Sequence, residues 1–405
     1  MKILVQKFGG TSVATPEKRR QATAKIREAL EKGYGTVVVV SAMGRRGEPY
    51  ATDTLITRVR EVHPEIEPRE LALLLNCGEI ISAVFMVQTL RGYGIEAQAF
   101  TGGQSGILTD QTYDNARILE VDPEKIIKCL KNKRTAVVAG FQGINKEGEF
   151  TTLGRGGSDI TASALGVVLG AETVEIFTDV DGVMTADPRV VSQARPVKVM
   201  TYNEICEMAH LGTKVIHPRA VEIAREGRVP LRVRSTFSEG EGTLIVDGYF
   251  PGRVEIRGDK VVTGLAHMEE MARVRLVSEE DFNQSGLALK IFHRLAEAGI
   301  SLDMIQVSPE TISFIVKEKQ YGKALSLLEK TGLKIQAGTG FAKVAVVGAG
   351  MRGVPGVMAR VVQGLTKAQV GVYQTTDSHT SIACLVKKED MSRALVALHE
   401  EFGLG

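Results

Sequence analysis

The sequence predicts an α/β protein: a mostly parallel sheet sandwiched by helices, followed by two small βαββα modules. Three observations carry this reading. Residues 36–40 (TVVVV) and 135–139 (TAVVA) are uninterrupted apolar runs rich in β-branched residues, the pattern of strands buried on both faces in a helix-covered parallel sheet. Apolar runs repeatedly end in glycine clusters, drawn from 43 glycines in 405 residues, as befits the carboxyl-end loops where α/β sheets bind ligands. Finally, sliding the chain on itself by 70 residues lays Val274 on Val344, Gly286 on Gly356, Leu295 on Leu365, Ile312 on Ile382 and Leu328 on Leu398. That is an internal repeat. Each copy reads strand, glycine-opened helix, strand, strand, helix, and each predicts a four-stranded antiparallel sheet with helices on one face.

In chain order, residues 1–6 (MKILVQ) read as the first strand, with Lys7, Phe8, Gly9, Gly10, Thr11 and Ser12 after it. Thr15 is a good N-cap, Pro16 suits a first turn, and residues 17–32 carry a helix. A strand, a lysine, two glycines and a helix start suit a phosphate, because glycines admit the anion to backbone N–H groups and lysine supplies charge. The GxxxxGK[ST] pattern is absent, so an ordinary βα turn with a surface lysine is the competing reading. The run 36–40 ends in Ser41-Ala42-Met43-Gly44, a small-residue loop, and 45–51 is polar. Thr52-Asp53-Thr54 looks like a helix start. Residues 70–90 form a long helical pattern containing Asn76-Cys77-Gly78-Glu79; Glu79 is either solvated or a ligand for a substrate ammonium group. Residues 95–100 read as a strand before Thr101-Gly102-Gly103, and 135–139 run into Gly140-Phe141.

Residues 151–159 (TTLGRGGSD) open a small-residue helix over 160–169, a second N-terminus suited to an anion. Arg155 offers a planar fork for a carboxylate or phosphate. The strand 174–177 leads into 178–189 (TDVDGVMTADPR). Its three aspartates lack the spacing of a calcium loop, so a nucleotide-binding loop is the better reading. His217 precedes a helix over 219–226 and has no partner at metal-ligand spacing, which makes it structural. A strand at 231–234, a turn at 238–242 and a last strand at 243–246 close this portion.

Composition narrows the function. The chain is 43% hydrophobic and 24% charged, and its net charge of +2 points neither to nucleic acid nor to a membrane surface. Tryptophan is absent, which disfavours base-stacking platforms. Cys77, Cys129, Cys206 and Cys384 include no CxxC pair and read as reduced, mostly buried thiols of a cytoplasmic protein. No signal peptide precedes the first strand, and no apolar run reaches 18 residues.

Six blocks together resemble the aspartokinase signatures, in order: KFGGTSV from Lys7, VSAMG from Val40, CGE from Cys77, LGRGGSD from Leu153, TDVDGVMTADPR from Thr178 and GTKVIHP from Gly212. Single blocks occur across the wider amino acid kinase family. The resemblance implies the amino acid kinase fold and phosphoryl transfer from ATP to the β-carboxylate of L-aspartate, with Mg²⁺ carried on ATP and no metal held by the protein alone. A carboxylate of pKa about 4 is ionised at neutral pH, so no general base is required. By similarity, Lys7, Arg155, Asp159 and Lys214 form the catalytic set. Lys7 with the amides of Gly9 and Gly10 would hold the transferring phosphate, and Lys214 would reach the ATP phosphates. Arg155 would grip the α-carboxylate and Glu79 the α-ammonium. Ser41, Thr52, Gly156, Gly157 and Ser158 would complete the aspartate site, with Ser41 and Ser158 also facing phosphate. Phe8, Thr178, Asp179, Val183, Met184, Asp187, Pro188, Arg189 and Val215 would complete the nucleotide pocket. Two departures stand out: the 45–51 loop looks longer than in many relatives, and Met184 stands where a tyrosine often flanks the nucleotide.

The repeat resembles a tandem ACT-domain pair, the ferredoxin-like amino-acid sensor of aspartokinases; a bare dimerisation module is the alternative. The expected boundaries are 1–248 for the kinase domain, 249–262 for a linker, and 263–338 and 339–405 for the ACT domains, with a strand over 261–267 completing one module by crossing between them. The match puts Gln284, Ser285, Asp303 and Gln306 at the effector. The stretch QTTDSHTSI from Gln374 looks like the diaminopimelate-sensitive type, so meso-diaminopimelate is the expected inhibitor, with lysine second and His379 exposed. Exposed sheet edges imply a homodimer or higher oligomer. Two rivals stand beside this reading: a kinase for another acceptor such as N-acetylglutamate, and a non-catalytic amino-acid sensor.

Overall fold

The computed structural model describes residues 1–213, 215–247, 261–278, 281–282, 286–351 and 353–405. The chain folds as two units. The first comprises 1–183, 196–209 and 214–256; the second comprises 184–195, 210–213 and 257–405.

The strands of the first unit are β1 (Ile3–Phe8), β2 (Gly35–Val40), β3 (Ala97–Phe100), β4 (Ile107–Thr109), β5 (Ile118–Val121), β6 (Thr135–Ala139), β7 (Gln142–Ile144), β8 (Phe150–Thr152), β9 (Thr173–Thr178), β10 (Val199–Thr201), β11 (Leu231–Ser235) and β12 (Thr243–Val246). Its helices are α1 (Gly10–Val13), α2 (Pro16–Glu31), α3 (Thr52–Val62), α4 (Pro68–Gly92), α5 (Glu124–Lys131), α6 (Gly157–Val168), α7 (Tyr202–His210) and α8 (Pro218–Glu226). Eight strands form one sheet in the order β10-β12-β11-β9-β1-β2-β6-β3. All its neighbours are parallel except β11 and β12. Val37 to Val40 are wholly buried, as a strand covered on both faces requires.

Register aligns the ends that matter. Phe8 pairs with both Val40 and Phe177, and Val40 pairs with Ala139. The carboxyl ends of β9, β1, β2 and β6 therefore stop at one level, and the loops opening at Asp179, Gly9, Ser41 and Gly140 emerge side by side. Helix α2 starts as expected: Thr15 Oγ1 accepts the Lys18 N–H at 3.3 Å and Pro16 fills the first turn. Helix α4 is, among the described residues, the one helix long and apolar enough to span a membrane. Half of that span is buried within the protein, and it carries Asn76 and Glu79 into the core.

A second sheet, β5-β4-β7-β8, was not marked by the sequence. Its strands are three or four residues long, too short for a period-2 pattern to emerge. Helices α5 and α7 and strand β10 also went unmarked.

The second unit contains β13 (Gly264–Val277), α9 (Leu287–Glu297), β14 (Asp303–Val307), β15 (Thr311–Lys317), α10 (Glu318–Glu329), β16 (Lys334–Val347), α11 (Val357–Lys367), β17 (Gln374–Asp377), β18 (Ser381–Lys387) and α12 (Met391–Glu401). The two βαββα copies are present, but the separate four-stranded sheets are replaced by one six-stranded sheet, β14-β15-β13-β16-β18-β17. Strands β13 and β16 are each 14 residues long, long enough to serve both copies. The first half of β13 pairs with the second half of β16, and the second half with the first, across a register shift at Met268 to Met271. Each copy thus takes its fourth strand from the other. The strand expected over 261–267 is the start of β13, and the expected 338/339 boundary falls inside β16. Most of the expected 249–262 linker lies outside the described residues.

The second unit also takes up residues from the kinase portion of the sequence. Ala186 and Val191 sit in one apolar cluster with Leu265, Val344, Leu398 and Leu404. Thr185 anchors them: its carbonyl accepts the Leu265 N–H at 2.7 Å, and its Oγ1 lies 2.9 Å from His399 Nε2. Of the cysteines, Cys129 and Cys384 are buried, Cys206 is half-buried and Cys77 is exposed. The expectation of mostly buried thiols therefore fails at Cys77, which stands on the outer face of α4.

Candidate active site

The aligned strand ends and the N-terminus of α6 enclose a cleft of roughly 560 Å³ in the first unit. At its floor Lys7 Nζ lies 2.6 Å from Asp159 Oδ1, both side chains mostly buried. The sequence puts them there directly. Lys7 is the penultimate residue of β1, and Asp159 lies in the first turn of α6. Gly10 has to be glycine, because a Cβ there would stand 2.4 Å from the Ala42 carbonyl oxygen. Gly156, at φ +72°, caps α6 in the left-handed region that favours glycine, and a Cβ there would also meet His217 at 2.3 Å. Ser41 Oγ donates to Ser158 Oγ at 2.9 Å, tying the β2 loop to α6.

Glu79 enters from α4. It is buried, with its Oε1 accepting the Ala42 N–H at 3.1 Å, while Oε2 is buried without a partner. Gly78 lets this happen, since the loop packs so closely there that a Cβ would touch Ala42 and the Tyr50 carbonyl at 3.1 Å. Burial pushes the Glu79 acid up to about 8, against a smaller lowering by the Ala42 amide. Arg155 is exposed at the rim and makes no ion pair among the described residues.

The cleft therefore gathers Lys7, Gly10, Ser41, Thr52, Glu79, Arg155, Gly156, Gly157, Ser158 and Asp159 of the expected site. Gly9 adjoins it, its N–H bonded to the Phe177 carbonyl. Phe8 is wholly buried, stacked on Phe177 at 4.7 Å, and its carbonyl accepts the Ser41 N–H, so its ring packs into the core and does not line the cleft. Thr178 ends β9 and Asp179 follows it, and Thr178 Oγ1 donates to Asp179 Oδ1 at 3.2 Å. Val183 is buried, its N–H held by Thr243 Oγ1 at 2.8 Å. Met184, Asp187, Pro188 and Arg189 belong to the second unit. There Arg189 bonds Asp187 through Nε and Nη2, and that contact holds the Asp187 carboxyl below its ordinary value. Val215 is half-buried, and Lys214 lies outside the described residues. His217 is structural, as expected: its Nδ1 accepts the Arg219 N–H and caps α8, and burial holds its pKa down.

The cleft is also lined by residues that sequence reasoning did not assign to it, and four of these carry a charge or an aromatic ring: Arg45, Arg46, Asp53 and Phe141. The first three sit in or just after a polar loop that announced nothing. Phe141 had one signal, its place after Gly140 at a strand end. It sits at φ +69°, a strained value for a bulky residue. Its N–H donates to Thr161 Oγ1 and its carbonyl accepts from the Leu153 N–H, which holds the ring at the cleft wall.

Among the described residues no three His, Cys, Asp or Glu side chains come together as a metal-holding group. At the expected effector site, Asp303 pairs with Lys343 at 2.7 Å, and Gln306 Nε2 donates to the Thr375 carbonyl. Gln284 and Ser285 lie outside the described residues, and His379 is exposed.

Comparison with known proteins gives a consistent picture. A family model described as the amino acid kinase family matches residues 2–235, and ACT domain models match 274–331 and 336–400. The chain is 45% identical to Aspartokinase 1 of Bacillus subtilis over 404 residues, covering 100% of both chains. It is 40% identical to an aspartokinase of Thermus thermophilus over 415 residues, covering 100% of this chain and 99% of that one. Among solved structures, E. coli aspartokinase III in complex with aspartate and ADP matches with a TM-score of 0.78 and 26% identity, covering 99% of each chain.

Proposed function

The chain belongs to the amino acid kinase family and, within it, to the aspartokinases, and from that premise we propose that its cleft transfers the γ-phosphoryl group of ATP to the β-carboxylate of L-aspartate, giving 4-phospho-L-aspartate. The observation that carries this is Glu79. A buried carboxylic acid with one unpartnered oxygen has a use when a cation arrives. A free α-ammonium group supplies both the missing partner and the charge that ionises the acid. Arg155, at the same cleft and without an ion pair among the described residues, suits the α-carboxylate as a bidentate partner. Together they fit an amino acid with a free amine, not an N-acylated one.

The chemistry then needs little proton handling. The acceptor carboxylate is ionised at neutral pH and attacks phosphorus directly. As its O–P bond forms, the bond to the β,γ-bridging oxygen breaks and ADP leaves with the electron pair. The enzyme's task is to bring two anions into line and offset their repulsion. Lys7, fixed by Asp159, and the Gly10 amide are assigned to the transferring phosphate, with Gly9 shaping the turn while its own N–H is held by the Phe177 carbonyl. Ser41 and Ser158 orient the acceptor, with Thr52 beside them. Mg²⁺, when bound, supplies further charge neutralisation on the nucleotide. The cleft's donors fit a metal held mainly by phosphate oxygens and water, since Asp159 is already committed to Lys7. Thr178, Asp179, Val183 and Val215, with Met184, Asp187, Pro188, Arg189 and Lys214, are assigned to the nucleotide by the family resemblance.

The ACT pair is the regulatory part, with meso-diaminopimelate as inhibitor and lysine second, on the resemblance of the stretch after Gln374. Edge strand β14 exposes Ile305 and Val307, which supports assembly as a homodimer or higher oligomer. The test is Glu79→Gln with aspartate titrated against ADP release. Loss of one charge-assisted contact raises KM for aspartate by about 10- to 100-fold, with KM for ATP unchanged. An unaltered KM for aspartate would remove Glu79 from the substrate site.

A further inference from the structure

The loop at 44–51 has no role in the account so far, yet it arches over the glycine turn. Gly44 N–H donates to the Gly10 carbonyl at 3.0 Å. The next residue, Arg45, reaches across to Asp179 and closes an ion pair of 2.8 Å with its Oδ2. Asp179 follows β9, whose Phe177 is paired with Phe8 and accepts the Gly9 N–H. The Arg45–Asp179 clasp therefore spans the Gly9-Gly10 turn from the β2 side to the β9 side. Arg45 and Lys7 line the same cleft.

We propose that Arg45 is a catalytic residue: it exchanges Asp179 for the transferring phosphoryl group and stabilises the charge that builds there as the O–P bond to aspartate forms and the bond to ADP breaks. The inference rests on the aspartate kinase reading of this cleft. Three facts support it. The ion pair is solvent-exposed, with the Arg45 side chain 71% accessible, and exposed pairs hold little net energy, so the exchange is cheap. The flanking glycines, Gly44 at φ +90° and Gly47 at φ +97°, give the loop hinge points at both ends of the Arg45-Arg46 pair. Lys7 is paired with Asp159 at 2.6 Å, so part of its charge is already offset and a further cation at the phosphoryl group has a use. A planar guanidinium supplied in cis is a recurring solution in phosphoryl transfer, and no second protein is required here.

The experiment compares wild type, Arg45→Ala and Arg45→Lys in aspartate-dependent ADP release with MgATP, with thermal midpoints recorded in parallel. Arg45→Ala should lower kcat by roughly a hundredfold, leave KM for aspartate and the thermal midpoint nearly unchanged, and regain activity when guanidinium ion is added at concentrations that leave wild type unaffected. Arg45→Lys should retain more activity than Arg45→Ala. A kcat within twofold of wild type in Arg45→Ala, or a loss that appears only in KM, would overturn the assignment. Wild-type turnover with aspartate separates this outcome from a failure of the aspartate kinase reading, under which no variant, wild type included, would consume aspartate.

Discussion

Glu79 makes the sharpest pH prediction of any residue in the chain. Its acid is held up to about 8 by burial, so below that pH the unliganded site is mostly neutral and must lose a proton to meet an ammonium group. kcat/KM for aspartate should therefore rise with pH and level off above about 8, and Glu79→Gln should abolish that limb. Stability runs the other way. The folded acid binds its proton more tightly than the unfolded one, so stability is fully present below the ordinary value of 4.5 and declines as pH rises towards about 8. Thermal midpoints of wild type and Glu79→Gln across this window would show the difference. At Asp159, replacement by Asn leaves Lys7 without its counter-charge at 2.6 Å. Lys7 loses its fixed position, and kcat should fall by roughly a hundredfold or more, measured by ADP release.

At the scale of elements, the turns decide more than the strands. Gly10→Ala would drive a Cβ to 2.4 Å from the Ala42 carbonyl, prising the β2 loop from the glycine turn; activity should drop steeply even where circular dichroism shows an intact fold. Thr15→Ala removes only the cap of α2 and should cost about 1 kcal/mol of stability with turnover unchanged, measured by denaturant unfolding. The same contrast explains what was legible. The long apolar runs of β2 and β6, the capped helix α2 and the glycine blocks announced themselves, because burial on two faces and tight backbone approach each demand particular residues. The second sheet of the first unit did not, since its strands of three or four residues carry no period. Nor did Arg45 or Arg46 in the 45–51 loop: an exposed arginine in a polar stretch looks like any other, and only the fold shows what it spans. Phe141 was hidden because its strain is a property of φ, not of residue type.

At the scale of the whole molecule, the 70-residue repeat was visible because two similar modules need similar cores, while the merging of their sheets was not, since β13 and β16 look like ordinary strands until their 14-residue lengths are paired. The passage of residues 184–195 into the second unit was equally hidden, because Ala186 and Val191 are apolar residues that could have packed anywhere. It has a consequence. A chain ended at 247 would lose the apolar partners of Ala186 and Val191, along with the Leu265 and His399 contacts of Thr185. Such a fragment should have a lower thermal midpoint and reduced turnover, measured beside the full chain. The claim on which everything else depends is the reaction itself. The most direct test is ADP release by the full chain with MgATP and L-aspartate, set against L-glutamate and N-acetyl-L-glutamate, for wild type and Lys7→Ala. Turnover with aspartate alone, lost in Lys7→Ala, is the expected result; turnover with N-acetyl-L-glutamate, or aspartate turnover that survives in Lys7→Ala, would contradict the site described above.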